Sequence, residues 1–152
     1  MERALVVVED SENSRAMVHE AGKFASCEES ELVLYAEATQ SDVSEATTVA
    51  SSAGEGDIPD PASRDAIDSI YRFLEGVAEE QFHGLELQYE TTCSIVPENH
   101  HSGSVLRTAE NNNCDHLFVV GEQRSPTGKA VFGDFVQSLL LNFDGRVTVE
   151  LE

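Results

Sequence analysis

The sequence predicts a doubly wound α/β domain, a five-stranded parallel sheet with helices on both faces forming an α/β sandwich. Short apolar runs bounded by turn residues alternate with longer stretches whose apolar residues recur at helical spacing. That alternation builds a parallel sheet with crossover helices. The first run is apolar almost throughout, as a strand covered on both faces is. With 152 residues, 40% of them apolar, the chain has enough material for one core, so residues 1–152 read as a single domain.

Residues 3–8, RALVVV, are the first strand, and Glu9-Asp10-Ser11-Glu12-Asn13-Ser14 supplies a loop and helix caps. Met17, Ala21, Phe24 and Ala25 mark the first helix, and residues 31–37, ELVLYAE, the second strand. From about residue 39 to 59 the chain is Ser, Ala, Thr, Gly and acids without a period, which predicts a flexible loop longer than compact α/β connections usually are. Asp60-Pro61 reads as an N-cap followed by proline at the first helical position. Ile67, Ile70, Leu74, Val77 and Ala78 form one stripe behind it, through about residue 81. Residues 85–96, LELQYETTCSIV, are the third strand. Val105, Leu106 and Ala109 place a short helix before Asn111-Asn112-Asn113, and His116 to Val120 is the fourth strand. Phe135, Val136, Leu139 and Leu140 belong to a last helix ending near Asn142. After a turn at Asp144-Gly145, Val147, Val149 and Leu151 alternate with polar residues, as a half-buried or edge strand does.

Charge narrows the function classes. Against 29 acidic residues stand 9 basic ones, of which only Lys23 and Lys129 are lysines, for a net charge of -20. This composition suits a salt-saturated cytoplasm, where molar salt screens carboxylate repulsion over about 3 Å. Nucleic acid and anionic membranes are poor partners for such a surface. No basic leader followed by an apolar segment opens the chain, and no apolar run approaches membrane-spanning length, so a cytoplasmic location is expected. Cys27, Cys93 and Cys114 share no Cys-x-x-Cys spacing and read as small core or boundary residues in a reducing compartment.

In doubly wound sheets ligands lie beyond the carboxyl ends of the strands, near the point where strand order reverses. Two loops fit that address, the one after Val8 and the one after Val120. The second, GEQRSPTGKAVFGD at 121–134, is not a P-loop. Gly121 and Gly128 are separated by six residues and Ala130 follows Lys129, where a P-loop has four residues and then a magnesium-binding hydroxyl. The three-glycine dinucleotide pattern is absent there too. Glu98, His100 and His101 read as a solvated loop rather than a metal site, and His19, His83 and His116 as structural. Ser14, Ser125 and Asp134 form no nucleophile, base and orienter set, so no catalytic residue is assigned.

LVVVEDSENS at the first strand, a strand ending VVG, a loop reaching a second glycine, and a closing helix and strand together resemble the universal stress protein family, UspA-like and of a haloarchaeal type. The likeness covers nearly the whole chain. It implies an adenine nucleotide alpha hydrolase-like fold, a stress-response or regulatory role, a homodimer through the last strand at Val147, Val149 and Leu151, and ATP with magnesium held by loop amides and the start of the last helix. The nucleotide-binding pattern runs Gly, two residues, Gly, nine residues, Gly, then Ser or Thr. Carried over, Gly121 matches the first glycine and Gly133 the last, with eleven residues between them instead of twelve. Arg124 and Ser125 match the Arg-Ser that often follows the middle glycine, which is itself missing. Asp134 stands where a hydroxyl is usual, Glu9 where an Asp ends the first strand, and Ala36 lies beside the expected adenine. The resemblance therefore implies a nucleotide site made of Glu9, Ala36, Val120, Gly121, Gln123, Arg124, Ser125, Gly128, Lys129, Gly133, Asp134 and Phe135.

Elementary electrostatics makes binding there weak. Asp134 can take the free amides of the helix as its own N-cap and repels phosphate, while Arg124 and Lys129 attract it. Any hydrolysis is expected to be slow, since nothing is placed to activate water. Two other readings stand beside this one: a dimeric interaction module whose 39–59 loop recruits a protein partner, and an enzyme using the same cleft.

Overall fold

In a computed structural model the chain is described over residues 2–39, 61–97, 101–121 and 134–151. Along it run β1 (Arg3–Val7), α1 (Glu12–Glu28), β2 (Glu31–Thr39), α2 (Pro61–Gln81), β3 (Gln88–Val96), α3 (His101–Asn111), β4 (His116–Gly121), α4 (Asp134–Asn142) and β5 (Arg146–Leu151). The sheet order is β3-β2-β1-β4-β5 and every pairing is parallel. This is the doubly wound five-stranded α/β sandwich that the alternation predicts. Because β1 lies between β2 and β4, the order reverses at its carboxyl end.

The pleat sends alternate residues to two cores. Ala4, Val6, Val8, Leu32, Leu34 and Phe118 pack against Met17, Val18 and Ala21 of α1 and Leu74 and Val77 of α2. Leu5, Val7, Val33, Tyr35, Leu117 and Val119 pack against Val105 and Ala109 of α3 and Leu139 of α4. The central strands β1, β2 and β4 are thus apolar on both faces, whereas β5 has no fully buried residue.

Several boundaries differ from the sequence reading. Val8 lies beyond β1, yet its amide still donates to the Tyr35 carbonyl at 2.8 Å. β2 runs on to Thr39, paired with Val96, so the loop expected from residue 39 starts after it, and 40–60 falls outside the described residues. β3 begins at Gln88; Leu85 and Leu87 pack on the first core from a connecting turn instead of a ladder. His101 opens α3 rather than lying in a loop, while Glu98, His100 and Asp60 are outside the described residues. Phe24 and Leu140, expected on core stripes, are 40% and 46% exposed, and Cys27 is exposed rather than a core or boundary residue. α1, at 17 residues, has nearly five helical turns over a narrow strip of sheet, so its margins meet solvent.

The amino ends of the strands are tied together by side chains. Arg3 donates from Nη1 to the Asn112 carbonyl at 3.1 Å and from Nη2 to Glu90 at 2.9 Å. Its Nε lies 3.5 Å from Glu31, close enough for charge attraction but without a hydrogen bond. Asp115 accepts from the amides of Glu2 and Arg3, and its own amide and carbonyl bond Arg3 and Arg146. Gly145 seals this end: its φ is +155°, and a Cβ there would sit 2.5 Å from the Asp115 carbonyl oxygen. Among the described residues no helix is long and apolar enough to cross a membrane.

Candidate functional site

The carboxyl end of the sheet is built from the two loops that the topology selects. After β1, Ser11 caps α1 by accepting from the Ser14 amide at 3.1 Å, and the buried Ser14 hydroxyl accepts from the Glu9 amide at 2.8 Å. Arg15 pairs with Asp10 at 2.8 Å. The loop is therefore folded back on its own helix, with the Glu9 side chain exposed.

Register places the other residues. Val7 pairs with Tyr35 and Val6 with Phe118, so continuing each ladder sets Ala36, Val8 and Val120 side by side across three strands on the α1 and α2 face. Ala36 is 5% and Val8 3% exposed, and Val120 is half-buried. They form a small apolar floor where the strand order reverses, buried in the first core except for part of Val120. Cys93 pairs with Ala36 on one side of this row and Glu150 with Val120 on the other.

Gly121 does not belong to a loop. It closes β4 opposite Leu151, and a Cβ there would lie 3.0 Å from Val136 and 3.2 Å from Val149. The glycine lets α4 approach the sheet, which is a packing requirement on the face opposite the Ala36 floor. Phe135 also packs into that second core. Asp134 is exposed and is the first helical residue of α4 rather than its N-cap. Its carboxylate still favours the helix amino end. Gln123, Arg124, Ser125, Gly128, Lys129 and Gly133 lie outside the described residues.

No protein-family model matches the chain, and no curated protein matches it in sequence. Solved structures do. A universal stress protein UspA from Lactobacillus plantarum has 16% identity and a TM-score of 0.65 over 98% of this chain and 97% of its own. A universal stress protein in complex with cAMP has 12% identity and a TM-score of 0.66 over 97% and 94%. The universal stress protein from Archaeoglobus fulgidus in complex with dAMP has 8% identity and a TM-score of 0.58 over 98% and 97%. The fold is that of the universal stress proteins. At these identities the likeness speaks for the universal stress protein fold and its end-to-end coverage, and two of the three structures hold an adenine nucleotide.

One polar cluster at this end has no counterpart in the sequence reading. Tyr35 is fully buried, and its hydroxyl meets the Ser104 hydroxyl at 2.6 Å and donates to Glu37 at 3.0 Å. Burial, opposed by the serine hydrogen bonds and reinforced by the Glu37 charge, raises its pKa. A surface cavity of about 570 Å³ opens nearby between the end of β3 and α3, lined by Ser94, Val96, Ser104 and Arg107 among others. Only the i, i+2 spacing of Tyr35 and Glu37 hinted at this in the sequence; Ser104 is 69 positions away.

The histidines divide. His19 donates from Nδ1 to the Gln81 carbonyl at 2.9 Å and so joins α1 to α2. His116 is buried and bonds Thr148, whereas His83 is exposed. Burial pushes the Cys114 thiol up to about 11, as suits an inert core residue.

Proposed function

We propose that this protein is a universal stress protein-like regulatory protein of a haloarchaeal cytoplasm, acting as a homodimer and binding an adenine nucleotide, ATP with magnesium foremost, weakly between the Glu9 loop and the 121–134 loop. The observation that carries the reading is the apolar floor of Ala36, Val8 and Val120 at the strand-order reversal, in a fold whose solved examples include complexes with cAMP and dAMP. An apolar row suits one face of an adenine ring. Phosphates would then extend toward α4, where Arg124 and Lys129 supply positive charge and Asp134 opposes it. Weak binding follows from that opposition and from the missing middle glycine.

The test is mass spectrometry of small molecules released from protein purified in high salt, followed by calorimetric titration with ATP and magnesium. Lys129→Ala is expected to weaken binding and Asp134→Ser to strengthen it, each by about tenfold, or roughly 1.4 kcal/mol. No released nucleotide and no heat up to millimolar ATP, in wild type and Asp134→Ser alike, would reject the nucleotide reading.

A second reading is favoured by a different observation. Leu140 and Leu141 of α4 and Leu151 of β5 are exposed, Leu141 at 74%, and β5 is an edge strand. A dimeric interaction module without nucleotide would use this surface, joining Val147, Val149 and Leu151 to a second copy and leaving 39–59 to a protein partner. Light scattering on Val149→Lys tests this surface, since a dimer through β5 should fall to monomer; the ATP titration separates the two readings.

A further inference from the structure

The imidazole of His116 is 5% exposed, at the start of β4. It stacks on the ring of Phe118 at 4.3 Å and meets the edge of Phe24 at 5.8 Å. Its Nε2 contacts the Thr148 hydroxyl of β5 at 2.7 Å, while its Nδ1 is buried with no hydrogen-bond partner among the described residues. Two tautomers fit the contact. With the proton on Nε2, the ring donates to Thr148 and leaves only a lone pair unmet, whereas the other tautomer buries an unpaired N–H.

From this arrangement we infer that His116 is an acid-sensitive latch on the last strand: neutral, it holds β5 through Thr148; protonated, it releases that strand from the sheet. Protonation would place a second N–H and a positive charge beside aromatic rings, where Nδ1 has nothing to donate to among the described residues. The face of Phe118 offsets part of that cost as a cation–π contact but offers no hydrogen bond.

The charges around the ring agree. Burial is the main effect lowering its pKa from 6.5. Asp115, the residue just before β4, raises it; Arg146, directly across on β5, and the chain's amino group lower it further. β1 presents Ala4 to this position and α1 presents Phe24, while Glu20 and Lys23 of α1 pair with each other at 3.0 Å. Relief must come by admitting water. β1 and β2 lie within the sheet, but β5 is an edge strand paired to β4 alone, half-buried at Val147, Val149 and Glu150 and exposed at Arg146, Thr148 and Leu151. It is therefore the element that yields.

The sign follows from the lowered pKa. Stability of β5 is full above the unfolded value near 6.5 and declines as pH falls below it. Hydrogen exchange of the β5 amides, corrected for intrinsic rates and compared with those of β1 and β2 in molar KCl, reads this directly. Between about pH 7.5 and about pH 5, wild-type β5 should lose protection selectively, by up to about tenfold per pH unit. His116→Phe should abolish that slope. If it fails to fold, His116→Gln, which keeps a neutral donor for Thr148, should do the same. Thr148→Val should lower β5 protection at every pH and retain the slope. The His116 proton resonance should titrate below its ordinary midpoint. An equal slope in His116→Gln, an equal loss in all strands, or a midpoint at or above 6.5 would overturn the inference.

Discussion

At the scale of the residue, two side-chain positions separate packing from recognition. Gly121 resembles a phosphate-loop glycine in the sequence, yet the space beside it is taken by Val136 and Val149. Gly121→Ala is expected to cost about 1–3 kcal/mol in denaturant unfolding, because those side chains must shift. Tyr35 supplies a contrasting case. Tyr35→Phe leaves the ring in place but removes the partner of Ser104 and Glu37, and should cost about 1–2 kcal/mol by the same measurement. Neither residue could be assigned this role from neighbours in sequence, since both roles depend on atoms brought in from other elements.

At the scale of the element, legibility tracks how many faces are buried. β1, β2 and β4 stand out as apolar runs because the sheet covers them on both sides. β3 was harder to delimit: Leu85 and Leu87 alternate like strand residues, but they fill the first core from a turn whose Leu85 amide bonds Phe82. Phe24 recurs at helical spacing with Met17 and Ala21, yet lies at the helix margin against His116 and Phe118. The cap of α1 was legible in the Glu9 to Ser14 stretch because its chemistry is local, whereas Asp134, read as a cap, is the first residue of its helix. Ser11 satisfies the Ser14 amide at the start of α1, and Ser11→Ala should lower stability by about 1 kcal/mol in thermal or denaturant melts. The candidate site was legible as an address, the reversal at the end of β1, because topology alone sets it. Its floor was only partly legible, since Ala36 and Val120 come to flank Val8 only through register.

At the scale of the molecule, acidity governs stability. With a charge of -20, the chain should melt higher as KCl rises from tenths of molar to molar, through screening of its own repulsion. Acid acts elsewhere, at the amino ends of the strands. Burial raises the Asp115 pKa, but amide bonds from Glu2 and Arg3 and the amino terminus outweigh it, and the net shift is downward from 3.8. Its contribution is thus present above about pH 4 and lost as pH falls below that, so Asp115→Asn should flatten the acid limb of a stability profile. Arg3 and Asp115 together have a mechanical meaning. They rivet β1, the end of α3 and the neighbouring strands at one end, as the pin of a folding fan holds its ribs. Small rotations about such a pin grow with distance along each strand. Any such displacement would be greatest at the opposite rim, where Ala36, Val8 and Val120 lie, so the proposed nucleotide would be admitted there by a spread of the ribs that leaves the pin intact.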